Sequence, residues 1–311
     1  IEMYAVFRFI AGFGLAGELG AGITLVSETM DKEKRGYGTM IVAAVGVVGA
    51  VLAALLAELT TWQISYFIGG GLGLSLLLLR IGVFESGMFE STKSESVSHG
   101  DFTMFFTSKD RFSRFIKSIL IGLPVWFVIA FLISKDGINL AKDKHVVGAV
   151  KQNMLIMFCY AGLVFGDLCS GTLSQLLRSR KKVLYIFYVL IIGVIIVYLN
   201  LGAVSAAVFY TMIAALGFSV GFWAIFVTNA SEQFGINLRS TSANTIPNFI
   251  RGSVPLIGLL YAFVRGLVHG NIYHTYYILL VIIMLISFTA TYFLKETFAT
   301  DLNYLEDDRN K

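Results

Sequence analysis

The residues able to do chemistry in this chain are charges stranded in apolar sequence. Arg251 stands in PNFIRG, four residues beyond Pro247, with Asn248 and Asn244 about one and two helical turns before it. Its guanidinium is a planar fork that matches a carboxylate with two parallel hydrogen bonds. A charge at mid-bilayer depth costs about 2.5–3.5 kcal/mol on insertion scales, so one that persists faces a cavity or a partner. Arg251 is therefore expected to meet either an anionic cargo or a carboxylate on another helix. Glu18 lies near the middle of the first apolar run, on one face with Gly14, Ala21 and Gly22. It either carries a proton or contacts cargo, or it is hydrogen-bonded silently to a neighbouring helix. Arg8, nearer the end of the same run, pairs or snorkels toward the polar interface. Asp167 falls near the end of its own run, as a gate or loop anchor. Trp126 and Trp223 either line a cavity or serve as packing and interface anchors.

A second set of charges is marked by repetition. Ser27-Glu28 is followed after six residues by Arg35, and Ser231-Glu232 by Arg239 at the same spacing. The offset is 204 residues for all three positions. A fainter echo sets Glu85-Ser86 against Glu296-Thr297. Two copies of one pattern imply two related helical bundles. Glu28, Arg35, Glu232 and Arg239 then read as pairs that bridge helix ends across the bundles in one state and part in another. The alternative is solvated surface charge, which contributes little.

The elements that must position these residues follow from composition. The 311 residues are 56% hydrophobic and 14% charged, with mean hydropathy +0.76. A soluble domain of that size carries more charge. Nine apolar runs, near 4–26, 37–59, 62–84, 115–133, 152–173, 183–201, 204–229, 241–267 and 273–294, each suffice to cross a bilayer as helix. The fold class is thus all-α and polytopic. Residues 1–85 hold three spans of an incomplete bundle, 86–114 a polar inter-bundle loop, 115–298 a six-span bundle and 299–311 a tail. Three further spans are expected upstream, since the chain opens at Ile1 without the features of a signal peptide. Pro124, Pro247 and Pro255 fall inside runs and predict kinks. Of the 24 Lys and Arg, 17 fall on one side when alternate loops are assigned to alternate sides, and 5 on the other. Arg8 and Arg251 lie within runs. The basic side is expected in the cytoplasm, with the C-terminus.

Placed in loops between spans, these motifs resemble the sugar-porter and organic-ion branches of the major facilitator superfamily. YAVFRFIAGFGLAG is similar to that family's fourth helix, with Arg8, Gly12 and Gly14. GTLSQLLRSRKK resembles its basic eighth-to-ninth loop, where Arg178 would join the gate. FESGMFES and LKETF look like sugar-porter signatures, and GFSVGFWAIFVTNASEQF like the tenth helix. The resemblance spans nearly the whole chain. It implies a secondary active transporter that moves a small polar solute by alternating access, as a proton-coupled symporter. It also implies a monomer in the cell membrane whose partners are its solute, a proton and the bilayer.

Departures narrow the cargo. Gln175 replaces the loop's usual Asp, which weakens the expected carboxylate–arginine latch. Phe84, Gly87 and Lys295 replace signature prolines. SILIGLPVWFVIAFL lacks the paired glutamines that hold hexose, and the span with Gly46 and Gly49 lacks the antiporter Gly-Pro. A small organic anion is favoured over hexose or drug; a carrier of another metabolite, or a receptor-like homologue, remains the alternative. Enzyme chemistry has no cluster to support it: the four histidines sit in loops or at span ends, and Cys159 and Cys169 read as packing residues. No cofactor, metal or nucleic acid is expected. Gly69, Gly70, Gly71 and Gly73, without a following Lys, read as close helix packing, not a phosphate loop.

Overall fold

The computed structural model describes residues 2–31, 33–79 and 100–306, with every side chain in them except those of Leu15, Ala16, Glu18 and Leu19. The expectations for the Glu18 carboxylate and for Glu85-Ser86 fall outside these residues. Twelve principal helices are numbered here: α1 (Glu2–Ala16), α2 (Glu18–Thr29), α3 (Arg35–Leu59), α4 (Trp62–Leu79), α5 (Lys109–Leu120), α6 (Gln152–Leu176), α7 (Arg180–Asn200), α8 (Ala206–Ser219), α9 (Trp223–Glu232), α10 (Ile236–Gly252), α11 (Val254–Leu267) and α12 (Ile272–Phe293). Among the described residues no strand forms, and eight helical stretches are long and apolar enough to cross a membrane. The first expected span is interrupted at Gly17, giving helices of 15 and 12 residues.

Several starts are written locally. Ser179, Ser205 and Asn271 cap α7, α8 and α12, their side-chain oxygens accepting from the N–H of Lys182, Val208 and His274. Each satisfies a donor that the first turn leaves without a partner.

Prolines act differently from the kinks expected of all three. Pro247 does sit inside α10. Pro124 and Pro255 instead occupy the first turn of new helical segments, Leu123–Trp126 and α11. At that position the missing N–H has no intrahelical acceptor to lose, so proline restarts the helix after a break. Beyond Trp126 the chain continues as a π-helix, Phe127–Lys135. It ends at Asp136, whose Oδ2 accepts from the hydroxyls of Tyr261 and Tyr276, each at 2.7 Å.

Glycine decides how two helices of the second bundle meet. A Cβ on Gly162 would lie 1.9 Å from Ala214 O, and one on Gly217 the same distance from Cys159 O. Gly166 and Gly221 face each other as closely, with a Gly221 Cβ 2.4 Å from Gly166 Cα. Both helices carry Gly-x-x-x-Gly, at 162–166 and 217–221, and backbone lies on backbone. The glycines of α4, expected to pack closely, have no atom within 4 Å of where a Cβ would stand.

The apolar core runs from Met104 to Leu294 and takes in Ile23 from the first bundle. α4 buries none of its residues. Contact between the bundles is carried chiefly by α6 against α3 and by α10 against α2.

Candidate functional site

Two helix ends of the first bundle meet two of the second where the basic loops lie, here called the basic end. Arg35 opens α3 and Glu232 closes α9; Arg35 Nε donates to Glu232 Oε1 at 2.8 Å. Arg239, in the first turn of α10, meets Glu28, near the end of α2, with Nη1 to Oε1 at 3.0 Å. Each pair takes one residue from each copy of the repeat, so the copies exchange partners. Arg35, Glu232 and Arg239 are buried. Away from water such pairs depend on their remaining hydrogen bonds, and removing one partner costs about 3–5 kcal/mol.

Those remaining bonds come from residues the sequence did not single out. Arg180 donates to Glu232 from Nη2 at 3.3 Å and from Nε at 3.4 Å, and its Nη1 reaches Ser174 Oγ at 3.0 Å. Arg178 was the expected gate residue of this cluster. It is exposed instead, makes no ion pair among the described residues, and lies in the left-handed region at φ 48°. The reason is the Ser179 cap: it starts α7 at Arg180 and turns that side chain inward. Ser followed by the basic run was the available signal.

The segment after α12 lies across the same end. Arg35 Nη2 donates to Thr300 O at 3.2 Å, and Arg239 Nη2 donates to Leu302 O. Ile236 N donates to Tyr304 O at 2.9 Å. Arg114 holds Glu306 bidentately at 2.8 and 3.1 Å. Carbonyl acceptors leave no mark on a sequence, so this strap was illegible.

Gln175 corrects a second expectation. With its amide turned so that oxygen and nitrogen both find partners, the oxygen accepts from Gly36 N at 3.1 Å and Tyr37 N at 3.3 Å, and the nitrogen donates to Glu33 O at 3.0 Å. A neutral amide thus caps α3 across the bundle boundary and keeps the latch. Gly36 is what lets it approach, because a Cβ there would stand 1.8 Å from the Gln175 amide.

Glu296 caps α7 from the other direction. It accepts from Arg180 N at 2.9 Å, Lys181 N at 3.1 Å and the Ser179 hydroxyl. Desolvation works against its charge, but those donors at a helix N-terminus prevail and hold the carboxyl below its usual range. A depressed folded value gives stability that is complete above the ordinary glutamate value of 4.5 and is lost as pH falls through the lower folded value. Thermal unfolding of wild type and Glu296→Gln is expected to diverge above pH 4.5 and converge in acid below it. Parallel curves throughout would remove Glu296 as the cap.

Inside the bundle, Arg251 Nη1 donates to Asn248 Oδ1 at 3.1 Å, and its Cζ lies 5.5 Å from the ring centroid of Trp223. It makes no ion pair among the described residues. Tyr160 of α6 is within its electrostatic reach. Asn244 faces α2, where a Cβ on Gly20 would fall 2.2 Å from its Oδ1. Asn244 Oδ1 and Trp126 Nε1 are both buried without a hydrogen-bond partner. Leaving such an atom unsatisfied costs about 1–3 kcal/mol, and here the acceptor stands on α10 itself and the donor on the Leu123–Trp126 segment packed against it.

Asp167 and Arg8 complete the set of candidates. Asp167 is buried within the bundle, not at its charged end; its Oδ1 accepts from Ala224 N at 3.0 Å. It caps α9 where the 220–222 break leaves free donors, so it secures a helix break instead of a gate or loop. Arg8 is exposed on α1 and makes no ion pair among the described residues.

A model of the Major Facilitator Superfamily matches residues 1–259. A Bacillus subtilis protein named as a niacin/nicotinamide transporter is 26% identical over 264 residues, covering 81% of this chain and 63% of its own length. A Cupriavidus pinatubonensis protein named as a 4-methylmuconolactone transporter is 26% identical over 282 residues, covering 83% and 62%. The chain therefore spans less than two thirds of the length of these relatives.

Proposed function

The chain belongs to the major facilitator superfamily, and from that premise we propose that it carries a small cyclic organic carboxylate across the cell membrane by proton-coupled symport. Arg251 supports this most directly. A half-buried guanidinium over Trp223, with Asn248 on one nitrogen and no ion pair among the described residues, is built to receive an anion. The relatives are named for niacin/nicotinamide and for 4-methylmuconolactone, all small ring compounds; niacin is a carboxylate and nicotinamide its neutral amide. In this reading the carboxylate takes the Arg251 fork and the ring lies along Trp223. Asn244 Oδ1 and the Trp126 N–H accept from and donate to its polar edge.

The described conformation is closed at the basic end, by three arginines on two glutamates beneath the 297–306 strap. At the opposite end the ion pair joining the bundles is Glu58 to Lys151, which is exposed and contributes little. With the basic loops in the cytoplasm and the C-terminus beside them, this is the outward-facing state. Glu18, two residues before Gly20 on α2, is the group assigned to the coupled proton.

Uptake into liposomes containing the full-length protein tests the proposal. Radiolabelled nicotinate is expected to accumulate under an inward acid gradient, its amide only weakly, and collapse of the gradient should lower acid uptake severalfold. Equal uptake of acid and amide ends the carboxylate assignment. Indifference to the gradient ends the symport assignment alone.

A further inference from the structure

We propose that a groove on the outer face of the second bundle, at its basic end, binds one anionic phospholipid. The groove lies between α7 and α12, has a volume near 490 Å³, and is lined by Tyr185, Phe288, Thr289, Tyr292 and Phe293. Tyr185 and Phe288 stack with centroids 5.8 Å apart and planes at 16°. Tyr292 and Phe293 are 71% and 63% exposed. Above them, toward mid-membrane, the same two helices present Val189 and Leu285, each 63% exposed. This is an aromatic step at interface depth beneath an aliphatic wall, the surface that a headgroup and its chains cover.

Charge at the rim selects the headgroup. Lys181 Nζ donates to Tyr292 O at 2.9 Å and Leu294 O at 2.8 Å, and Lys117 Nζ to Phe293 O at 3.5 Å. Both ammonium groups are thus tied to the last carbonyls of α12, beside the groove. Lys182 and Lys295 are exposed nearby in sequence, in the first turn of α7 and just beyond α12. None of these four lysines is in an ion pair among the described residues. Glu296, the carboxylate next to them in sequence, is spent on the Ser179 hydroxyl and on the N–H groups of Arg180 and Lys181. Two cations seated at the rim, Lys117 and Lys181, with the neighbouring Glu296 turned into a helix cap, complement a phosphodiester that carries net negative charge and not one balanced by choline, while Lys295 faces the separate polar pocket with Asp110 and Glu306.

The groove also touches the gate. Lys181 follows Arg180, which clamps Glu232, and it joins the start of α7 to the end of α12. A lipid held there stiffens that junction and, by linkage, raises the thermal stability of the folded protein.

Native mass spectrometry and thermal unfolding of the full-length protein in detergent test this with phosphatidylglycerol, phosphatidylcholine and soluble glycerol phosphate. Phosphatidylglycerol is expected to be retained as a single adduct and to raise Tm, with phosphatidylcholine weaker and glycerol phosphate without effect. Loss of Lys117 or of Lys181 should each weaken phosphatidylglycerol about fivefold. Lys117→Gln with Lys181→Gln removes the two seated ammonium groups. Lys182→Gln with Lys295→Gln removes the same charge away from the groove and is expected to keep phosphatidylglycerol bound. Equal retention of the two lipids overturns the proposal, as does phosphatidylglycerol binding unchanged in Lys117→Gln with Lys181→Gln or lowered as much in Lys182→Gln with Lys295→Gln. A Tm shift by glycerol phosphate equal to that of the lipid also overturns it, because the headgroup alone would then suffice.

Discussion

Arg239→Glu is expected to abolish transport, and adding Glu28→Arg should restore a substantial part of it. Arg239 is buried and meets Glu28 at 3.0 Å. The single reversal sets two carboxylates against each other at the bundle boundary. Breaking a buried pair costs about 3–5 kcal/mol, which shifts the closed-to-open balance by roughly two to nearly four orders of magnitude. The double reversal returns opposite charges to the same two helix ends. Combining Arg239→Glu with Glu232→Arg should not rescue, because Glu232 belongs to Arg35 and Arg180. Uptake measured beside membrane insertion, with accessibility of a cysteine placed at the basic end, reads the effect. Additive losses in the Glu28–Arg239 pair would reduce it to charge without coupling.

Arg251→Lys keeps a positive charge and removes the fork. Its expected result is a loss of carboxylate binding of tenfold or more at near-normal expression, because one ammonium cannot reproduce two parallel hydrogen bonds. The stacking of guanidinium on Trp223 is lost in the same step. The deciding measurement is ligand-induced thermal shift with acids and their neutral amides. Wild type should respond to the acids and the lysine variant only faintly. If Arg251 instead serves a carboxylate of the protein, the variant melts lower with or without ligand. Equal shifts for acid and amide in wild type would leave the cargo open.

These two predictions draw on different kinds of legibility. That Arg251 is a charge inside an apolar run, with Asn244 and Asn248 before it, is visible in one dimension, as are the apolar runs themselves. So is the Glu-to-Arg repeat, since its spacing survives 204 residues away. Hydropathy and local spacing are properties of short segments, and the bilayer requirement that backbone groups be satisfied within a segment turns them into helices without further information.

The choice of partner belongs to the tertiary structure. Nothing in SETMDKEKR or SEQFGINLR says that Glu28 pairs with Arg239 and Arg35 with Glu232; the crossing of α2 on α10 and of α3 on α9 decides it. Arg180 in place of Arg178, Gln175 as a cap, and Asp167 at an internal helix break follow from where helix ends and breaks fall, down to single residues. Those ends depend on contacts such as the backbone approach of Gly162 to Ala214 and Gly217 to Cys159. The strap over the gate depends on peptide carbonyls, which every residue has. The chain by itself determined that it is a bundle of membrane helices with a duplicated charge pattern and an arginine in its interior. Only packing between segments some 200 residues apart could turn those charges into buried ion pairs between the bundles, because ion-pair energy depends on distance and burial, and both are set by neighbours remote in sequence.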